Sequence, residues 1–536
     1  MKSRLLGFLP LLLLLAGCGR RESAVERGDR AQVLHRGISY EVAGLDPQLA
    51  TGISEGAIET ALFEGLVAED PKDLHPVPGV AERWEASADG LTYTFRLRAD
   101  ARWSNGRPVT AGDFVASWRR ILSPALAAPN AAMLYVLQGA EAYHRGAAQD
   151  FGQVGVAAPD PRTLRVTLDH ATPDFLARLT HWAWLPVYLP AIRAAGKADD
   201  RANAWARPGR LVGNGAFLLQ SWSPDREIVL ARSPTYWDAR RVALREIHLY
   251  PIDSVDAEER AFRAGQLHVT DAVPIGRIDA YRRDAPQLLR IDPYLGTYYY
   301  ALNVRHPSFG DPRVRRALSL AIDRGAIAAK VLRGVEQPAA SFTPPGLEGY
   351  EPPAAAKSDA AEARRLLAEA GHPGGQGLAP LELMFNSSEN HRLIAEAVQE
   401  MWRRELGIEV KLVNQENKVV LADRQSGDFQ IVRAAWIADY PSPSSFLDLF
   451  RSGNGNNFTG WSSPEYDALL FAADRAADPA ARRELWGRAE ALLLRAAPII
   501  PLYHYSHAFL IQPSVQGWYP NLLDHHPYKY VWLDGK

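Results

Sequence analysis

The stretch Val432 to Phe446 reads VRAAWIADYPSPSSF, and Asp439 is the single carboxylate in this apolar and aromatic run. Arg433 is the one basic residue close to it in sequence. A charge placed where a strand should be dry is costly unless something pairs with it. Two readings follow: the acid is matched by a lysine or arginine of the protein itself, or its cation arrives with a ligand. Other residues able to do chemistry are sparse. His504 and His507 lie three apart in YHYSH, and His525 and His526 are adjacent. Such pairs admit a metal site or, with a remote carboxylate, a hydrolase, although histidines in aromatic and proline-rich segments are more often structural. No GxxxxGK[ST], HExxH, GxSxG or GxGxxG motif occurs, and no two carboxylates stand out as an acid/base couple. The expectation is a binding protein, with no enzyme activity, cofactor or metal.

The elements that must hold these residues alternate. Leu91 to Leu97 (LTYTFRL) places Leu, Tyr, Phe and Leu on one face of a strand, and Leu164 to Leu168 repeats the pattern. Asp359 caps a helix in which Glu362 reaches back, Leu366 and Leu367 face inward, and Gly371 and Pro373 end the turn. Asp311-Pro312 opens another helix, with Val314, Leu318 and Ile322 at helical spacing. Strands alternating with helices point to α/β domains with mixed sheets. No internal repeat is found. Pro344 to Lys357 and His372 to Pro380 read as surface loops.

At 536 residues the chain is too long for one ordinary core, so two or three domains are expected. A net charge of −2 gives no basic surface for nucleic acid. Its 14 Trp and 20 Tyr suit a protein that encloses a ligand. Lys2 and Arg4 precede an apolar run from Leu5 to Leu15, too short for a permanent span. The following LAGC resembles a lipobox with Cys18, the only cysteine, as the lipidated residue. This excludes an internal disulfide and predicts a signal peptide over 1–18, an exported, membrane-tethered periplasmic lipoprotein, and a polar tether over residues 19–36.

Several blocks occur in a shared order across most of the chain. They include LDPQLATGISEGAIETALFEGLV (45–67), PVPGVAERWEAS (76–87) and YTFRLRADARWSNGRPVTAGDFVASWRR (93–120). Further along come NGAFLLQSW (214–222), IVLARSPTYWD (228–238), DPYLGTYYYALN (292–303), DPRVRRALSLAIDR (311–324), LLAEAGH (366–372) and GIEVKLVNQE (407–416). Together with the stretch around Asp439 they resemble the oligopeptide-binding and murein-peptide-binding solute-binding proteins of peptide ABC importers. That resemblance implies an α/β, two-lobed periplasmic-binding-protein fold of type II, in the large peptide-binding class. It carries an extra subdomain and two interlobe crossovers. Lobe I would combine 19–65, 190–295 and 508–536, subdomain II would be 66–189, and lobe III 296–507. The implied partners are an oligopeptide and an ABC permease and ATPase complex, and the implied state is a monomer.

The resemblance also assigns residues. Asp439 would meet the peptide's α-ammonium, and His391, Arg424 and Arg433 its carboxylate. Backbone groups of Ala434, Ala435, Trp436 and Ile437, with Thr51, Gly52 and Ile53 on the other lobe, would form a ladder with the ligand. Trp436 is read either as a pocket wall or as core. Four departures from the family pattern bear on specificity. Asn417 stands for a cleft Trp, Asp271-Ala272-Val273 for a Tyr-Asn-Asn triplet, and Asn130 for a Tyr, while Gly296 and Ile437 stand for a disulfide pair. These predict a narrower peptide set, cationic peptides or a muropeptide-like ligand. The same fold also hosts binders of nickel chelates, haem, glutathione and sugars, so the fold alone leaves the ligand open.

Overall fold

The computed structural model describes residues 22–347, 349–354 and 357–535. The signal peptide over 1–18 and Cys18 lie outside them. Three main sheets organise the chain. The first runs Val33–Ile38, Glu246–Pro251, Glu227–Arg232, Phe217–Ser223, parallel at its first pairing and antiparallel at the others. The second is antiparallel, in the order Ala81–Ala86, Thr92–Leu97, Thr163–Thr167, Val156–Asp160. One continuous core joins the two, from Leu34 through Phe95, Trp118 and Leu249 to Leu533.

The third sheet is mixed and holds six strands in the order Gln337–Pro338, Ile499–Leu510, Leu289–Leu302, Ile431–Ile437, Leu381–Asn386, Val410–Gln415. Separate cores cover its two faces. Tyr298, Leu383, Val398 and Trp402 belong to one; Tyr299, Val432, Ala434 and Phe446 belong to the other. The helix Glu389–Leu406 turns Ile394, Ala395, Val398, Met401 and Trp402 inward at helical spacing, then stops at Gly407 in the left-handed conformation (φ 67°).

Two strands cross between the lobes. Leu289–Leu302 and Ile499–Leu510 pair antiparallel along most of their length, from Leu289 opposite Leu510 to Ala301 opposite Ile499. Near one end Ile291 and Leu510 pack with Phe262, Leu267 and Tyr281. Toward the other, Tyr298, Leu302 and Ile500 enter the core on one face of the six-stranded sheet. The ladder breaks between Pro293 and Thr297, where the strands pass from one lobe to the other. Fewer ladder bonds there make this the natural place for a hinge.

Several local expectations meet the structure directly. Tyr93, Phe95 and Leu97 are buried on one face of Thr92–Leu97, and Leu164 and Val166 on one face of Thr163–Thr167. Asp359 accepts from the Glu362 amide and caps Ala360–Glu369; Asp311 caps Pro312–Leu320. The expected tether does not hold. Ser23 and Glu26 form a capping box that starts the helix Ala24–Ala31, and Val33–Ile38 is a strand of the first sheet. In the helix Arg27 and Arg30 are exposed while Val25 and Gly28 are buried, so its polarity reflects amphipathicity, and Arg36 of the strand is itself buried. The loop beginning at Pro344 is also not wholly at the surface. Tyr350 is buried and donates to Glu490 (2.6 Å), whose carboxylate also takes the amides of Phe342 and Thr343 (2.8 Å each).

Candidate functional site

The strand Ile431–Ile437 pairs along its whole length with Leu302–Gly296, but Leu381–Asn386 stays beside it only at Ile431 and Val432. From Arg433 to Ile437 one edge has no strand next to it among the described residues. Ala434 is fully buried, and Trp436 packs on the same core with its indole N–H donating to the Ser445 carbonyl (2.7 Å). Ala435 and Ile437 are half-buried on the other face. The exposed resource of this strand is therefore its backbone: unpaired N–H and C=O groups able to take another strand. Gly296 and Ile437 are direct cross-strand partners, and a Cβ at Gly296 would collide with the Ile437 side chain.

Asp439 lies two residues beyond that strand. It is half-buried, its amide donates to Ser445 Oγ (3.3 Å), and among the described residues no cation reaches its carboxylate at ion-pair distance. Burial pushes the carboxyl up to about 6, and the charge of Arg178 pulls the other way only in part. Arg178 is committed elsewhere. It bonds Asp174 (3.1 Å), lies 3.8 Å from Asp448, and sits 4.4 Å over the ring of Tyr440. Sequence reasoning missed it, because residues 178 and 439 are brought together only by the fold. Arg433, the sequence neighbour, points away: it lies 4.8 Å over the Tyr298 ring and donates to the Tyr505 hydroxyl (3.0 Å).

Arg433 is one of a group. His391 packs 5.5 Å from the Tyr298 ring, and Arg424 reaches in from the helix Asn417–Ser426 to lie over Phe458 (5.0 Å). Neither guanidinium has an acidic partner among the described residues, and the Nε of each is buried without a hydrogen bond. His391 is not a cation here; burial, then the charge of Arg433, lower it to about 4. Asn417 starts the same helix as Arg424 and is exposed, two turns away on one face.

On the opposite lobe, Thr51 and Gly52 lead into the helix Ile53–Leu62, and Ile53 is 53 % exposed. A Cβ at Gly52 would push aside the ends of the Glu55 and Tyr40 side chains. Asn130 donates to the Ala50 carbonyl (2.9 Å), as does the Trp182 indole (3.2 Å), which fixes the backbone leading into Thr51. Asp271 accepts from the Ser39 hydroxyl and lies 3.9 Å from Arg36. The amides of Asp271 and Ala272 donate to Glu258 (2.7 and 3.3 Å), while Val273 is buried among Phe262, Leu267 and Tyr281. A cavity of about 560 Å³ lies here, walled by Thr51, Gly52, Ile53, Asp271, Tyr294 and His507 among others.

His504 stands apart from the other three histidines, while His507 and His526 meet on Asp524. His504 is buried against the Thr297 hydroxyl (2.9 Å) and, by burial, held down near 4. Three residues on along the strand, His507 pairs with Asp524 (2.7 Å) and meets the Asp271 carbonyl (2.6 Å). Burial opposes its charge, yet Asp524 carries it up to about 9. Residues three apart in a strand face opposite sides, so the two share no site. His525 is taken by Glu69 (2.8 Å) and His526 by Asp524 (2.9 Å). Among the described residues, Asp70, Asp73 and His75 are the one group whose ligand atoms are close enough for a metal, and Asp73 and His75 are already bonded to each other (2.5 Å).

Comparison with known proteins gives a consistent result. The profile of bacterial extracellular solute-binding proteins, family 5 (middle region), matches residues 75–458. The periplasmic oligopeptide-binding protein OppA of Escherichia coli K12 is 38 % identical over 496 residues, covering 91 % of this chain and 90 % of that protein. The periplasmic murein peptide-binding protein MppA of the same organism is 38 % identical over 495 residues, with 91 % and 90 % covered. The crystal structure of Haemophilus influenzae OppA in complex with RPPGFSPFR superposes with a TM-score of 0.79 at 31 % identity, covering 94 % of this chain and 99 % of that one.

Proposed function

The chain belongs to the family 5 bacterial extracellular solute-binding proteins, and from that premise we propose that it captures extended oligopeptides between two closing lobes and hands them to an ABC-type peptide importer. The observation that carries this reading is the backbone edge Arg433–Ile437, open to a further strand and leading to an acid without a cation. A peptide added there would satisfy the edge with its own amides and carbonyls, which every sequence shares. Its α-ammonium would meet Asp439. Arg433 and Arg424, free of carboxylate partners among the described residues, would meet its other end, where a planar guanidinium can hold a carboxylate by two bonds. Thr51-Gly52-Ile53 would close from the other lobe, with Asn130 holding that segment in place.

The protein acts as a binder rather than an enzyme in this reading: His504 and His507 occupy opposite faces of their strand, and the acids beside them are structural partners. The reading also places it in the periplasm as a monomer, tethered through a lipid on Cys18 and partnered by a permease and an ATPase. Titration with a library of tri- to pentapeptides and with murein tripeptide, each also in N-acetylated form, tests the central claim. Peptides with a free amino terminus should bind, and their acetylated counterparts should bind at least a hundredfold more weakly. Equal binding of both forms, or purification with a nickel chelate or haem and no affinity for peptide, would overturn it.

A further inference from the structure

The cavity walled by Thr51, Gly52 and Ile53 owes its room to one helix face. Ile53, Ala57, Thr60 and Ala61, spaced three and four apart along Ile53–Leu62, all line it, and three of the four are small. Trp182 and Leu185 form part of the facing wall, and a Cβ at Gly56 would run into the Trp182 ring, so helix and wall are already as close as they can come. At about 560 Å³ the space falls in the range of ligand pockets rather than of packing defects.

The electrostatics of the wall narrow what can enter. Each of its four carboxylates already has a basic partner. Glu64 holds Lys529 (3.0 Å) and also takes the Tyr236 hydroxyl and Trp237 indole; Glu69 holds His525 (2.8 Å). Asp524 holds His507 (2.7 Å) and His526 (2.9 Å), and Asp271 lies 3.9 Å from Arg36 with the Ser39 hydroxyl on its other oxygen. This is the reverse of the proposed peptide cleft, where among the described residues Asp439 has no cation at ion-pair distance and Arg433 and Arg424 have no acid. A charged group entering the cavity would lose its water and find every counter-ion in use.

The cavity also lies beside the amino-terminal end of the cleft. Tyr294 is part of its wall, and the next residue, Leu295, accepts a hydrogen bond at its carbonyl from the amide of Ala438 (2.9 Å), the neighbour of Asp439. Thr51, Gly52 and Ile53 belong both to the wall and to the segment read as a backbone contact. We infer that this cavity is a specificity pocket for a bulky, uncharged, largely apolar side chain carried by one of the first two residues of the ligand. The inference rests on the peptide reading of the cleft and replaces the expectation of a cationic ligand drawn from Asp271, whose charge Arg36 and Ser39 already absorb.

Calorimetric titration of the full protein with trialanine and with tripeptides carrying Trp, Phe, Lys or Glu at position one, two or three tests it. Trp or Phe at position one or two should tighten binding about thirtyfold or more over trialanine, because an aromatic ring brings a large apolar area out of water. The same residue at position three should gain little. Ala57→Leu and Thr60→Leu, each narrowing the space from the helix side, should erase the aromatic preference while leaving trialanine affinity within about threefold. If trialanine binds but aromatic and alanine peptides are equal, or Lys or Glu peptides bind best, the pocket is wrong and the peptide reading stands. If no peptide binds, trialanine included, both fall.

Discussion

The two ends of the cleft carry opposite charge and are built on different plans. At one end a single carboxylate, Asp439, sits in an apolar turn just past a strand, and the nearest opposing charge, Arg178, is spent on Asp174, Asp448 and Tyr440. At the other, positive charge is spread over Arg433 and Arg424, both resting on aromatic rings and both without acids among the described residues. One end is a fixed point; the other is a patch. In the proposed reading a peptide would have its amino terminus registered to one place, while its carboxylate could be met at more than one distance, leaving ligand length as the free variable.

Replacing Asp439 by Asn should break the fixed end and have the largest effect. In the closed cleft the pair is dry, and removing one partner leaves an uncompensated charge costing on the order of 3–5 kcal/mol, so affinity for peptides with a free amino terminus should fall roughly a hundredfold to a few thousandfold. N-acetylated peptides, which leave the wild-type acid unpaired but no charge in the variant, should bind the variant more tightly than the wild type. In the empty protein the sign reverses. A folded-state carboxyl raised from 3.8 to about 6 is stabilising when protonated, and that stability is lost as pH rises through this range. At neutral pH the empty Asn variant should therefore melt slightly higher, by about 1–2 °C. Peptide affinity of the wild type should fall as pH drops below about 6, because the protonated acid no longer attracts an ammonium, and the variant should show no such fall. A variant that melts lower and keeps its affinity would place the cation of Asp439 on the protein itself.

The patch should be harder to break. Arg433→Ala alone should cost about tenfold for peptides whose carboxylate ends at that residue and little for longer ones, since Arg424 remains. Removing both should cost about a hundredfold at every length. Titration of a tri-, tetra- and pentaalanine series against both single variants and the double checks this. Equal losses for all lengths on removing Arg433 alone would mean one fixed site at this end too.

How these features show in the sequence differs in kind. The isolation of Asp439 was visible, because one acid in an apolar run needs an explanation wherever the chain goes. The helix starts at Asp311 and Asp359 were visible too, because capping is local chemistry. The bare edge of Ile431–Ile437 was not, since it depends on where Leu381–Asn386 leaves that strand's side, a matter of sheet geometry. Arg178 and the walls of the cavity were hidden for the same reason: segments near 60, 182, 271 and 525 meet only in the folded chain. Composition misled within residues 19–36, where charge on the outer face of the short helix Ala24–Ala31 reads as a tether. Pattern matching against relatives put Gly296 and Ile437 opposite each other, as the register does, and placed Arg433 near the carboxylate end, but it could not say whether His391 carries a charge.

His391 sharpens the comparison by the smallest effect. If the patch works by cations, His391 contributes only while protonated, yet it is buried against Tyr298 and faces the like charge of Arg433, which together hold it near 4. It is then a neutral hydrogen-bonding ring whose Nδ1 lies 3.4 Å from the Tyr298 hydroxyl. His391→Gln, which keeps the shape and a polar group, should change peptide affinity by less than about threefold, in keeping with the modest worth of one neutral hydrogen bond. Affinity for the longest peptides, whose carboxylate would reach furthest along the cleft, should fall by no more than about threefold between pH 6.5 and 8 and equally in both proteins, from loss of the peptide's own α-ammonium charge. A tenfold decline over that range in the wild type, absent from the variant, would mean that the ligand's carboxylate recruits a proton onto this ring, and would add a third, titratable member to the positive end.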